Sequence, residues 1–461
     1  MARFNNILLS LLALYVPFFN TFSTRTVLKY VNFDTLPIIL LAYFIAFCII
    51  TNRRFFSGKL GNITKFMLFL FAAKVISGIL AFDTDLAFSE LLLELEFLVI
   101  FLIVNSLLID NKSYEYIISG LLIGFLISCF IAVMQKLGVQ QFYIFTKGEL
   151  NINAGLIKEN NTTLTRIWGP FGNSLGFSEY LATVGIALYS YFRWIKKNRL
   201  AAFGIIFLAI YCIILTVSRT ALFATGFTLL ILEFIYGRLT GKRAVLYVVS
   251  IVAILLIAFL LLSPAIEDTG NPLLQRLTNA SQDLKEGRLN LWVKGFSAFQ
   301  KNVFFGVGPG NLHMALSAEG FPMTSELISN FDGQHVENYF LTVLYTFGIV
   351  GFTFFMTIFF YLIKYSYRLF LLLNKKVQIT AYGGAFFGAM ITFTILNITI
   401  PALVSELSIK MMFIFMIVII NNSFLTYDNV TFFKSNYFLL RPFQRKKSVL
   451  QNNKYSPQTR T

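Results

Sequence analysis

The chain is short of charge. Only 13% of its 461 residues are Asp, Glu, Lys or Arg, about half the share of an ordinary soluble domain. Cysteine is nearly absent. The three present, Cys48, Cys129 and Cys212, all lie inside apolar runs, which excludes a disulfide framework and a Cys-based metal site. Two histidines in the whole chain argue against a His-rich metal centre. There is no repeat at a fixed period, so a solenoid is excluded as well. What the chain has instead is apolar mass. Hydrophobic residues make up 57%, Phe alone counts 53, and the mean hydropathy is +0.71. A soluble globule of this composition would leave large apolar patches in water. The fold class this implies is an all-α integral membrane protein.

Stretches of about 20 apolar residues give about twelve transmembrane helices. They fall near 5–23, 36–51, 65–82, 91–109, 114–137, 174–193, 200–217, 220–237, 244–263, 339–363, 378–397 and 402–424. The first is read as a retained helix, because no small-residue cleavage site follows it. The net charge of +16 sits in short Lys/Arg clusters between apolar runs. That is the pattern that orients membrane proteins, and no nucleic-acid partner is expected. With the N-terminus inside, 24 of the 38 Lys and Arg fall on inner segments, 12 on outer segments and two (Lys74 and Lys410) within spans. The bias predicts both termini in the cytoplasm.

The chain thus divides into transmembrane helices 1–9 over 1–263, an extracytoplasmic loop over 264–338 between spans 9 and 10, helices 10–12 over 339–424, and a basic cytoplasmic tail over 425–461. The tail suits anionic membrane lipid. The long outer loop holds both His, one Trp and eight acidic residues. Loops on rigid scaffolds are where function concentrates.

Within that loop, Leu291, Trp292, Gly295, Phe296 and Phe299 recur at helical spacing. The helix should end near Asn302. Gly306, Gly308, Pro309 and Gly310 follow. They form either a plain tight turn or a turn whose backbone N–H groups approach an anion.

His335 and Glu337 stand just before the tenth span. A lone His in a loop can be a bystander. Beside a bilayer, it can also accept a proton from a hydroxyl near neutral pH. Arg219, in VSRTALFATGF, sits between two apolar runs, a costly place for a charge. It either snorkels to the interface or binds a lipid-linked phosphate through its planar guanidinium. Arg288 and Arg166 are further outer arginines. Lys74 lies mid-span and needs an anionic partner or a ligand; Glu94 and Glu96 are the nearest candidates in sequence.

Several outer cations beside a base-capable His suit a phosphate-bearing lipid whose head group lies outside. The matching chemistry is attack of a hydroxyl on a centre whose leaving group is a diphosphate. Cations would neutralise the charge growing on the leaving group. No Asp-rich metal motif stands outside, and no cofactor or metal is expected.

Four stretches resemble the O-antigen ligase and polymerase family of bacterial envelope glycosyltransferases. VSRTALFATGF is similar to its Ser-Arg-x-Ala-Leu signature. GRLNLWVKGFSAFQKNVFFGVGPGN is similar to its Arg…Trp…Asn-Pro-x-x-Gly-x-Gly-x-Gly stretch. QHVENYFLTVLYTFGIVGF is similar to its His-Asn-x-x-Leu…Gly-x-x-Gly element, and RIWGPFGNSLGFSEYL to its upstream Arg segment. Val336 stands where the family has Asn, and Val303 where it has Pro.

The resemblance implies a glycosyltransferase of the bacterial cytoplasmic (inner) membrane with its active site on the outer face. It implies an undecaprenyl-diphosphate-linked oligosaccharide as donor and inversion without a metal. Arg219 and Arg288 fall on diphosphate-contacting positions, and His335 on the base, a role Glu337 could share. Three readings follow. A polymerase transfers the glycan to a second lipid-linked oligosaccharide. A ligase transfers it to lipid A core. A flippase would move lipid-linked sugars, but would place its charges within the spans and keep its loops short.

Overall fold

The computed structural model describes residues 2–18, 61–107, 111–143, 156–159, 162–171, 173–240, 289–312, 314–315, 338–373, 378–398 and 408–427. In chain order the helices are α1 (Ala2–Tyr15), α2 (Asn62–Ile79), α3 (Thr84–Leu107), α4 (Asn111–Lys136), α5 (Ser174–Ser190), α6 (Arg199–Leu215), α7 (Arg219–Thr240), α8 (Leu289–Lys301), α9 (Tyr339–Leu371), α10 (Gln378–Asn397) and α11 (Ser408–Tyr427). Each of these helices except α8 coincides with an expected apolar run. Five described helices are long and apolar enough to cross a membrane. The expected runs at 36–51 and 244–263 lie outside the described residues, as do most of the expected outer loop and the tail.

Helices dominate for a simple reason. In lipid, every backbone N–H and C=O must be satisfied within the segment. Among the described residues the strands are a two-stranded antiparallel hairpin, β1 (Leu156–Glu159) with β2 (Thr162–Thr165), in the register Leu156 to Thr165. It falls between α4 and α5, where a run of β-branched threonines follows two asparagines suited to a turn. So short a hairpin in a connection leaves the all-α class of the bundle unchanged.

The middle of the bundle is α5, buried from Gly176 to Ser190, with α10 packed beside it. Around them, Phe88, Phe207, Phe223, Phe234 and Phe360 are all exposed, which is the outer face a lipid-embedded bundle presents. Lipid tails are as apolar as these side chains, so cohesion rests on close packing and buried polar pairs. The aromatic core supplies the packing, with Tyr365 stacked on Phe424 at 3.7 Å between ring centroids.

The polar pairs sort to two ends. At one end, Asn105 meets Asn422 at 3.0 Å, Ser113 meets Asn6 at 2.6 Å, Lys196 meets Glu115 at 2.9 Å, and Arg193 meets Glu233 at 3.1 Å. Tyr189 also donates to Glu233 at 2.6 Å. At the other end lie the remaining pairs described below.

Candidate active site at the cation-rich end

α9 is one run in sequence but two helices in space. Gly348, at φ 63° and ψ −170°, breaks it. That backbone region is essentially closed to residues with a Cβ. The break frees carbonyls on one side and N–H groups on the other, and both must be satisfied at membrane depth. The Gly-rich turn after α8 does this. Val307 N donates to Tyr345 O at 2.9 Å, and Gly308 N to Thr346 O at 3.1 Å. In return, Ile349 N donates to Val303 O at 2.8 Å and Val350 N to Phe304 O at 3.2 Å. Gly306 N is spent on Asn302 O at 2.8 Å. These N–H groups are consumed by the protein itself, so the turn splices a broken helix and its Gly306–Gly308 amides do not cradle an anion.

The splice is also tied to the α2–α3 corner. Ser77 donates its hydroxyl to Thr346 O at 2.8 Å, and Asn311 bridges Asp83 through Asp83 N (2.7 Å) and Asp83 O (3.1 Å). Gly308 passes so close to Ala81 that a Cβ there would collide with the Ala81 methyl.

α8 runs from Leu289 to Lys301, in agreement with the helix the sequence indicates. Its buried face differs in detail. Gly295 and Ala298 face inward with Trp292 and Phe299 against Leu341 and Tyr345, whereas Phe296 is half exposed. A helix carrying apolar residues on more than one face can bury only one of them.

Lys74 does not stand alone. Its Nζ lies 2.7 Å from Glu94 Oε2, and Lys410 Nζ lies 3.0 Å from Glu94 Oε1. One carboxylate therefore bridges two ammonium groups from α2 and α11. Lys74 also lies 5.0 Å above the Phe347 ring, and Lys410 lies 5.3 Å from the Phe97 ring centroid. Of the two partners that the sequence offered Lys74, the structure selects Glu94.

Arg166 and Arg219 come from distant segments. Ile167 N donates to Leu215 O at 3.2 Å, so the segment after Arg166 is laid against the end of α6, four residues before Arg219 opens α7. Arg166 Nε and Arg219 Nη1 are both shut off from solvent. The segment is held by Gln135, which is fully buried at the end of α4. Gln135 Oε1 accepts from Gly169 N at 2.9 Å; its Nε2 donates to Gly169 O at 2.9 Å and to Phe142 O at 3.1 Å. Beside these, buried Glu179 of α5 accepts from Asn397 of α10 at 2.9 Å.

The structure lays the segment after Arg166 against Leu215, just before Arg219, and joins Lys74 to Glu94 and Lys410. Arg288, His335 and Glu337 lie outside the described residues. α8 begins immediately after Arg288, and α9 two residues after Glu337, with Asn338 capping α9 by accepting from Leu341 N at 3.0 Å. Sequence reasoning left Gln135, Lys410, Asn311 and Gly348 without a role. A signal was present for two of them: Gln135 and Lys410 are polar residues inside apolar runs, which are rare in membrane helices and retained for partners.

Fold and site together define an all-α membrane protein with polar groups buried among its helices. Residues 203–356 match the family model described as O-antigen ligase, and the motif stretches around Arg219, Arg288 and His335 lie within that match. The match includes Arg219, Arg288, His335 and Glu337 and leaves out Lys74 and Arg166. No curated protein matches the chain.

Proposed function

We propose that this chain is a glycosyltransferase of the bacterial cytoplasmic membrane that polymerises a surface polysaccharide. Its twelve spans would place both termini inside and the cation-rich end outside. The donor is an undecaprenyl-diphosphate-linked oligosaccharide, and the acceptor a sugar hydroxyl of a second lipid-linked oligosaccharide. The observation that carries the reading is the bond between Ile167 N and Leu215 O at 3.2 Å. It sets the segments of two arginines, distant in sequence, side by side at one end of a membrane bundle, and one of them lies within the family match.

In this reaction the acceptor oxygen attacks the anomeric carbon from the face opposite the diphosphate. The new C–O bond forms as the bond to the diphosphate oxygen breaks. His335, alone or with Glu337, takes the hydroxyl proton. Arg219, Arg288 and Arg166, with Lys74, meet the charge that grows on the departing undecaprenyl diphosphate. Partly enclosed guanidinium groups such as those of Arg166 and Arg219 suit this task, because charges held in place need little reorganisation as the reaction proceeds.

The ligase reading has one observation in its favour, the description of the matching family model as O-antigen ligase. It would use the same donor and the same residues with lipid A core as acceptor. A reconstituted assay separates the two. Purified protein receives the lipid-linked repeat unit as sole substrate, with chelator present, and the products are resolved on a gel. A ladder of lengthening glycans supports the polymerase. Transfer only after lipid A core is added supports the ligase. Movement of lipid-linked sugar between leaflets without any product overturns both.

A further inference from the structure

We propose that α8 and the turn after it are seated in the bilayer surface, with Val293, Phe296, Val303 and Phe304 held against the phospholipid acyl chains at the end of the bundle where α2 meets α3. The inference concerns how the chain meets its lipid and does not depend on the donor or acceptor proposed above. It puts into the membrane a stretch that the sequence assigns to an outer loop.

Three observations carry the proposal. The first is depth. The turn is bonded to α9 at its break, where Val303 O and Phe304 O accept from Ile349 N and Val350 N. From Ile349 to Leu371, α9 is about 35 Å long at a rise of about 1.5 Å per residue, enough to cross the hydrocarbon core without its first turns. The same turn touches the corner that follows α2: a Cβ on Gly308 would meet Ala81, just beyond the end of α2 at Ile79. One span thus breaks and another ends at the level of the turn, which marks that level as the membrane boundary.

The second is the division of the α8 surface. Trp292, Gly295, Ala298 and Phe299 share the arc turned inward, toward the cluster that contains Tyr345. At helical spacing Phe296 and Val293 fall on the next arc, with Gln300 between them, and Ser297 and Lys301 on the arc beyond. Protein covers only the first arc: Val293 is 64% exposed and Phe296 48%. A helix whose apolar arc is wider than its protein contact, and whose other side is polar and basic, has the pattern of one that lies in a lipid surface.

The third is continuity. Val303 and Phe304 are exposed, Phe304 by 69%, and so are Ile79, Leu80 and Phe82 at the α2–α3 corner and Ile349 beside the break. These side chains belong to three segments that meet at the turn. They extend the exposed apolar surface that α2 and α9 carry along their spans, at Phe69, Met356 and Phe360. Acyl chains cover such a rim at no cost, whereas water would not. Lys301, exposed at the end of α8, has a stem long enough to follow the chains and an ammonium that suits the phosphates above them. A second copy of the chain fits less well, because it would have to strip lipid from α2 and α9 as well. α8 opens one residue after Arg288, so the seat limits how far that arginine can stand from the bilayer.

The test reads the depth of α8 in the full-length protein in phospholipid nanodiscs. Cys48, Cys129 and Cys212 are replaced by alanine, and an environment-sensitive fluorophore is attached through Val293→Cys, Phe304→Cys or Lys301→Cys, three exposed positions. Phospholipids brominated near the head group or near the chain end supply the quencher. The Val293→Cys and Phe304→Cys labels should lose fluorescence, more to bromine near the head group than near the chain end, while the Lys301→Cys label keeps most of its own. Equal quenching at all three positions overturns the proposal, as does none at Val293→Cys and Phe304→Cys. Self-quenching between labelled copies, without quenching by lipid, gives the face to a second copy and overturns it too. Wild type provides a reading that needs no variant to fold. Hydroxyl-radical oxidation in nanodiscs should spare Phe296 and Phe304 as it spares Phe223 of α7; oxidation of both to the extent seen in the unfolded chain overturns the proposal.

Discussion

Ser77 of α2 donates its hydroxyl hydrogen to the carbonyl oxygen of Thr346 at 2.8 Å, two residues before α9 breaks at Gly348. The same carbonyl receives Gly308 N at 3.1 Å. A carbonyl that a continuous helix would have used internally is thus shared between a distant helix and a turn. The break is closed from two sides, which is why it can persist in a setting that leaves no water to satisfy it.

Gly348→Ala tests the splice. The backbone there sits at φ 63°, and a Cβ would run into the backbone of Phe304 and Phe305. Strain of this kind costs about 1–3 kcal/mol. The variant should show a lowered unfolding midpoint in detergent, whereas Ser77→Ala, which removes one hydrogen bond worth about 1 kcal/mol, should fall between it and wild type. A wild-type midpoint for Gly348→Ala would mean the break is not needed.

Gln135→Ala removes three hydrogen bonds and strands both backbone groups of Gly169 in a buried site. Each group left unsatisfied costs about 1–3 kcal/mol. If the clamp holds Arg166 for the donor, KM for the lipid-linked donor should rise with the loss of order in the segment. Steady-state kinetics at fixed acceptor would show it; an unchanged KM with only a lowered midpoint would make Gln135 purely structural.

Arg219→Ala should lower glycan transfer by about a hundredfold, the scale seen when one preorganised donor to a growing charge is lost. Arg219→Lys should recover little of it, because an ammonium lacks the planar two-donor edge of a guanidinium. Rates measured at matched protein levels decide this, and full activity of the alanine variant removes Arg219 from the site.

Glu233 and Arg193, with side chains only 3% and 9% exposed, offer a stability test at the opposite end. Glu233→Ala removes the carboxylate that Arg193 and the Tyr189 hydroxyl share in the interior and should cost about 3–5 kcal/mol. The double variant Glu233→Leu with Arg193→Met should recover most of that loss, since an apolar pair of similar volume suits the site. Transfer activity per folded molecule should not change in the double variant.

The membrane class, the positions of ten apolar runs and the short helix from Leu289 were legible because each depends on local composition and period. Lys74 was legible as a residue that needs a partner, since a charge in an apolar run always does. Its choice of Glu94 over Glu96 was not, nor was the arrival of Lys410 from a run more than three hundred residues away. The Gly306–Gly310 turn was recognisable as a turn, but its amides could be assigned to an anion only while their partners were unknown. Those partners are carbonyls of α9, exposed by a break at a glycine that looks in sequence like any other glycine of a membrane helix.

Sequence alone determined that this is a helical membrane protein whose motifs resemble those of the O-antigen ligase family. Hydropathy, charge placement and short motifs are properties of contiguous residues, and lipid enforces them span by span. Tertiary structure alone decided which cations share which carboxylate, which turn repairs which helix, and that Arg166 lies beside the end of α6. These are pairings between segments far apart in the chain. Their selection depends on where each polar group can be satisfied once the bundle has closed around it.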